Sequence, residues 1–112
     1  MNTVPEMQVE IRAHEQFTML SIRIVSDHLD YLQADKLHFP PVPAEHGLIL
    51  DGRIPHWLLT ALVRLYKKSG VAWIACRQIQ LEGAVVVASS TTAHVPGDLI
   101  ALPDASDNLM QV

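Results

Sequence analysis

The 112-residue sequence carries a net charge of −4, with 49% hydrophobic and only 18% charged residues. That is enough apolar material for one core and too little length for two, so a single domain over residues 1–112 is expected. No apolar run reaches the roughly 18 residues of a membrane span, the start lacks a basic region followed by an apolar stretch, and the lone Cys76 excludes an intrachain disulfide; together these point to the cytoplasm and away from a membrane partner.

Along the chain, Val9 and Ile11 alternate with Gln8, Glu10 and Arg12, which predicts a half-buried strand over residues 7–13. A second strand is predicted over 17–25, with Thr18, Leu20, Ile22 and Ile24 on its apolar face. The short link His14-Glu15-Gln16 makes the two an antiparallel hairpin. Ser26 reads as the N-cap of a short helix carrying Asp27 and Asp30 in its first turn and Leu29, Leu32 and Leu37 at helical spacing. Phe39-Pro40-Pro41-Val42-Pro43 is an extended linker that can continue neither a helix nor a central strand.

Gly47-Leu48-Ile49-Leu50 has the uninterrupted apolarity of a buried central strand, which Asp51-Gly52 ends. A helix is predicted from about 55 to 68, with Leu58, Ala61, Leu62 and Leu65 on one face and Ser69-Gly70 closing it. Residues 71–76 form the next strand. Strand, helix and strand at this spacing make a right-handed crossover unit with parallel neighbours. Residues 83–88 are a further buried strand, antiparallel to the preceding one through a loop at 80–83. Two turns, Ser89-Ser90-Thr91-Thr92 and Val95-Pro96-Gly97-Asp98, lead to a last strand at 99–102, and the tail from Pro103 is expected to fray. The fold class is α/β, a mixed sheet of about six strands with one long and one short helix.

Charge is unevenly placed. No acid occurs from Gly52 to Leu81, a stretch holding Arg53, Arg64, Lys67, Lys68 and Arg77, five of the eight basic residues. Such a local excess suits a small anion better than a track of double-stranded DNA. Lys67 and Lys68 are also explained as complements to a helix C-terminus.

The turn Asp51-Gly52-Arg53-Ile54-Pro55-His56-Trp57 is the leading candidate site. With Pro55 in the first helical position, Ile54 becomes the N-cap, and it has no side-chain acceptor for the first amides. Those amides can meet a ligand oxygen, Gly52 lets a phosphate approach the backbone, and the end of a parallel strand is the usual place for a ligand in such sheets. Arg53 can grip a phosphate bidentately, while His56 or Trp57 can stack on a base. The structural alternative has Asp51 capping the helix, Arg53 pairing with Asp51, and Trp57 in the core. Ser89, Ser90, Thr91 and His94 can donate hydrogen bonds or serve as nucleophile or base, although hydroxyls in a turn commonly serve the turn itself. The six histidines lack metal-ligand spacing, so no metal site is read from them.

Three segments carry a family resemblance: Gly52-Arg53-Ile54-Pro55-His56-Trp57-Leu58, Val71-Ala72-Trp73-Ile74-Ala75, and Gly83-Ala84-Val85-Val86-Val87 with the later Gly97-Asp98. Their order and spacing resemble the small type III CRISPR-associated ring nucleases known as Csx-three or Crn-three. The resemblance implies a CRISPR-associated Rossmann-like domain, a homodimer or higher homo-oligomer, that binds cyclic tetra-adenylate. Some members also cleave that ring or short RNA with manganese.

Carried onto this chain, Gly52, Arg53 and Pro55 match the ligand loop, and Ser89 and Ser90 match a polar segment. Where many relatives have histidines this chain has Arg64 and Lys67, and where they have Asp-Pro-Arg it has Gln78, Ile79 and Gln80. The expected manganese ligands are therefore missing. Metal-free cleavage needs only a ribose 2′-hydroxyl held in line with its phosphate under cationic stabilisation. The expectation is a cyclic-oligoadenylate-binding ring nuclease with Asp51, Gly52, Arg53, Pro55, His56, Trp57, Ser89, Ser90 and Thr91 around the ligand. Arg53 would stabilise the phosphorane, and His56 or His94 would act as base. A catalytically inactive sensor or sponge for the same ligand is the alternative, and a dimerising scaffold without a nucleotide is the third.

Overall fold

The computed structural model describes residues 3–4, 7–24 and 39–102. Its strands are β1 (Thr3–Val4), β2 (Met7–Ala13), β3 (Phe17–Ile24), β4 (Gly47–Asp51), β5 (Trp73–Gln78), β6 (Gly83–Ser89) and β7 (Leu99–Ala101), with one long helix, α1 (His56–Lys68), between β4 and β5. They form one mixed sheet in which spatial order follows chain order, β1-β2-β3-β4-β5-β6-β7. The six expected strands are all present, and β1 is a two-residue addition at the edge. The short helix expected from Ser26 lies outside the described residues.

The β2–β3, β4–β5 and β5–β6 pairings follow the reading of the sequence, and the parallel β3–β4 and antiparallel β6–β7 pairings add to it. β2 and β3 form the antiparallel hairpin, with the His14 amide donating to the Phe17 carbonyl at 2.8 Å. β3, β4 and β5 are parallel, and β6 returns antiparallel along β5 through a single 3₁₀ turn, Ile79–Leu81, closed by Glu82 at φ 52. β5 begins two residues later than expected. Val71 is nonetheless buried, and the Ala72 amide is held by the His46 carbonyl at 2.8 Å before the ladder starts.

The sheet has two apolar faces. Thr18, Leu20 and Ile22 are buried and Ile24 partly so, which matches the expected face of β3; Leu20 and Ile22 join Leu48, Leu50 and Ile74 beneath α1. The helix packs there through Leu58, Leu62 and Tyr66, a row spaced four residues apart. This corrects the expected face: Ala61 and Leu65 are exposed, because the 58/62/66 row points at the sheet and places 61 and 65 on its outer flank. Tyr66 fits in the core because its hydroxyl donates to the Pro40 carbonyl at 2.6 Å, which also ties the proline-rich linker to the helix. Burial pushes its phenol up to about 12.

The opposite face gathers Ile49, Trp73, Ala75, Ala84, Val86 and Leu102, flanked by Phe17 and Met19. Gly47 is a glycine because the Trp73 ring lies where a Cβ would stand.

Candidate functional site

The sheet brings Asp51 to the C-terminal ends of three parallel strands. Asp51 is in register with Ser21 on β3, and Leu50 with Cys76 on β5, so Ser21, Asp51 and Arg77 stand side by side on the face away from α1. One carboxylate oxygen, Asp51 Oδ2, accepts from Ser21 Oγ at 3.2 Å and from Arg77 Nη1 at 3.4 Å. The Arg77 and Asp51 side chains are 20% and 24% exposed, so the pair sits at the rim of the sheet rather than inside it. Asp51 therefore neither caps α1 nor pairs with Arg53. Its partners come from the two flanking strands, and the register that aligns them cannot be read from the turn alone.

Beyond Asp51 the backbone bends sharply. Gly52 has φ 121, and a Cβ there would strike the Ile22 carbonyl on β3. The glycine is thus required by the turn's contact with the neighbouring strand, which differs from the ligand-approach role expected for it.

Past Gly52 every third residue turns inward. Ile54 and Trp57 pack against the core under α1, while Arg53 and His56 are exposed. Partial burial of Trp57 against that core agrees with the packing alternative.

The helix N-cap is Pro55, not Ile54: its ψ of 150 keeps it extended, and the helix begins at His56. Proline's fixed φ suits the position before the helix as well as the first residue within it, which is why the boundary moved by one. The main expectation about this terminus holds: no side chain caps it and its first turn has no acid. Ile54 before the cap and Leu59 four residues after it pack on the same core, the arrangement of a hydrophobic staple that fixes the chain's entry angle. Arg53 makes no ion pair among the described residues.

The second group of candidates stands elsewhere. β6 runs antiparallel, so Ser89 pairs with Trp73, at the start of β5 and beside Gly47. Four residue steps of β4, about 13 Å at 3.3 Å per residue, separate that end from Asp51. Ser89, Ser90, Thr91 and His94 therefore do not meet Arg53 and His56 within one chain.

Their hydroxyls are engaged within the turn or with the chain just before β5. Ser89 Oγ donates to the Thr91 carbonyl at 2.9 Å and accepts from the Thr91 amide at 3.0 Å. Ser90 Oγ donates to the Ala72 carbonyl at 3.2 Å, and Thr91 Oγ1 accepts from the Ala93 amide at 3.2 Å. His94 lies against Trp73, with ring centroids 5.1 Å apart. Phe17 and His14 extend that row, at 6.4 Å from Trp73 to Phe17 and 4.5 Å from Phe17 to His14.

Among the described residues no three His, Cys, Asp or Glu side chains come together as metal ligands. Cys76 is a half-buried strand residue whose thiol is pushed up by burial. No described helix is long and apolar enough to cross a membrane.

Sequence reasoning did not single out Ser21 or Arg23, and it named Arg77 only as part of the basic stretch. Ser21 and Arg77 bond Asp51, and Arg23 follows Ser21 on the same face of β3, exposed and without an ion pair among the described residues. A model of the family described as CRISPR-associated protein (Cas_csx3) matches residues 22–101. No curated protein matches the chain.

Proposed function

The chain belongs to the CRISPR-associated Cas_csx3 family, and from that premise we propose that it binds a cyclic oligoadenylate, cyclic tetra-adenylate in the first place, at the turn spanning residues 51–57. The proposed role is that of a cytoplasmic ring nuclease that lowers the messenger of type III CRISPR antiviral signalling. The observation that carries the reading is Arg53: exposed, without an ion pair among the described residues, and set beside a helix start that has neither a side-chain cap nor an acid in its first turn. The guanidinium and the positive end of a helix dipole both favour a phosphate there.

Cleavage by these residues needs no metal. A ribose 2′-hydroxyl attacks the adjacent phosphorus, His56 takes its proton, Arg53 stabilises the charge on the phosphorane, and the P–O5′ bond breaks with the departing oxygen protonated by water. The products are a 2′,3′-cyclic phosphate and a 5′-hydroxyl. Two copies of the turn across a twofold axis would match the symmetry of a tetra-adenylate ring. The separation of His94 from Arg53 leaves His56 as the base within one chain, and it also favours the second reading, a sponge that binds the ring without turning it over.

Incubating the protein with cyclic tetra-adenylate in EDTA or Mn²⁺ and separating the products by chromatography distinguishes these readings. Linear products in EDTA support the metal-free nuclease, and tight binding without turnover supports the sponge. Absence of binding removes both. Arg53→Ala is expected to abolish binding, and survival of full affinity in that variant would overturn the placement of the site.

A further inference from the structure

The C-terminal ends of β3, β4 and β5 each carry an arginine: Arg23 near the end of β3, Arg53 just past β4 and Arg77 near the end of β5. Because the three strands are parallel neighbours, these ends lie along one rim of the sheet. Across the three strands Asp51 is the sole acid, so among the described residues the rim holds three guanidinium groups against one carboxylate. The next acid along the sheet, Glu10 on β2 opposite Ser21, is paired with Arg12 at 3.6 Å.

We propose that Arg23, Arg53 and Arg77 form a phosphodiester-binding rim in which Asp51 is a positioning residue for Arg77. The Arg77–Asp51 contact of 3.4 Å is single and long, well beyond the roughly 2.7–2.9 Å of a tight charge-assisted bond. It orients the guanidinium without consuming its other donors. Ser21 shares the same carboxylate oxygen and so fixes Asp51 from the other side.

Strands about 4.8 Å apart spread the three arginine positions over roughly 10 Å. That span suits an anion with several spaced phosphates, a short oligonucleotide chain, better than a lone phosphate. Planar forks matched to phosphate oxygens explain why the basic residues here are arginines, whereas Lys67 and Lys68 follow one another at the end of α1. The identity of the ring as ligand rests on the function proposed above, whereas recognition of spaced phosphates does not.

The test uses two probes, a labelled linear tetra-adenylate with a 5′-phosphate, followed by fluorescence anisotropy, and cyclic tetra-adenylate, followed by calorimetry. Both are titrated between about 50 and 200 mM NaCl against wild type, Arg23→Gln, Arg77→Gln and Asp51→Asn, with thermal melts as a control for folding. Each arginine variant is expected to weaken binding about tenfold and to flatten the dependence of log K on log salt by about 0.7. Asp51→Asn is expected to weaken binding several-fold even though it makes the rim more positive, and Asp51→Glu to restore part of it.

Unchanged affinity and slope in both arginine variants would overturn the rim, and unchanged or tighter binding by Asp51→Asn would overturn the positioning role. Arginine-dependent binding of the linear probe alone would uphold the rim and refute the ring as ligand. Binding of the ring with no dependence on Arg23 or Arg77 would do the reverse, and binding of neither probe would overturn both.

Discussion

Replacing Gly52 with alanine separates the folding role of the turn from its ligand role. At φ 121 an L residue is strained, and the new methyl would meet the Ile22 carbonyl, a backbone atom that cannot swing aside. The dihedral alone costs about 1–3 kcal/mol, and forcing a methyl into a filled space adds about 1–3 more. A total of about 2–6 kcal/mol is a large share of the roughly 5–15 kcal/mol that holds a domain of this kind together. At roughly 4–8 °C per kcal/mol, the midpoint should fall by about 10 °C or more. Urea denaturation followed by tryptophan fluorescence reads the change directly, since Trp57 and Trp73 lie in the two separate core clusters. If instead Gly52→Ala unfolds within about 0.5 kcal/mol of wild type but loses its ligand, the glycine serves phosphate approach, and the close contact with β3 is not what demands it.

Gly47→Ala displaces the Trp73 ring that covers this position, and should cost about 1–3 kcal/mol together with a changed near-ultraviolet circular dichroism spectrum. Tyr66→Phe removes the hydroxyl bond to Pro40, at a cost of about 1 kcal/mol near neutral pH in chemical denaturation. The same variant tests a pH dependence. The Tyr66 phenol rises from its ordinary value of 10.0 to about 12 in the fold, so the unfolded chain releases the proton first. Its contribution is complete below pH 10 and is lost as pH climbs through 12, about 3 kcal/mol in all. Wild type should therefore lose stability across that interval more steeply than Tyr66→Phe, and parallel curves would refute the assignment. Ser89→Ala breaks the closure of the 89–91 turn and should cost about 1 kcal/mol while leaving ring affinity unchanged. A loss of binding comparable to that of Arg53→Ala would show that the turn belongs to the site after all.

Much of the fold was legible because its strands obey simple burial rules. The alternation in β3 assigns its buried face, and the unbroken apolar run of β4 marks a strand covered on both sides, as Leu48, Ile49 and Leu50 are. The helix was legible in extent but not in rotation: Leu58, Ala61, Leu62 and Leu65 fit a helical stripe as well as the observed row, and a tyrosine was not expected in the core until Pro40 appeared as its acceptor. The site was legible in part. Arg53, His56 and the missing cap follow from the turn's own sequence, whereas Ser21, Arg23 and Arg77 reach the same rim only through the register of three strands. The distance between Arg53 and Ser89 does follow from strand direction: an antiparallel β6 ends where the parallel β5 begins.

Strand order decides what kind of site this sheet can offer. A ligand crevice in an open α/β sheet arises where strand order reverses and crossovers leave toward opposite faces. Here β3, β4 and β5 succeed one another without reversal, so that device is absent and the expectation of a ligand beyond β4 loses its usual geometric support. What remains is chemical: a rim of guanidinium groups, one carboxylate to set them, and a helix start left uncapped. Such a rim faces solvent on one side, so a bound ring would keep half its surface in water unless a second copy covered it. Burial of the ring and assembly of the protein would then be a single equilibrium, in which ligand affinity depends on protein concentration.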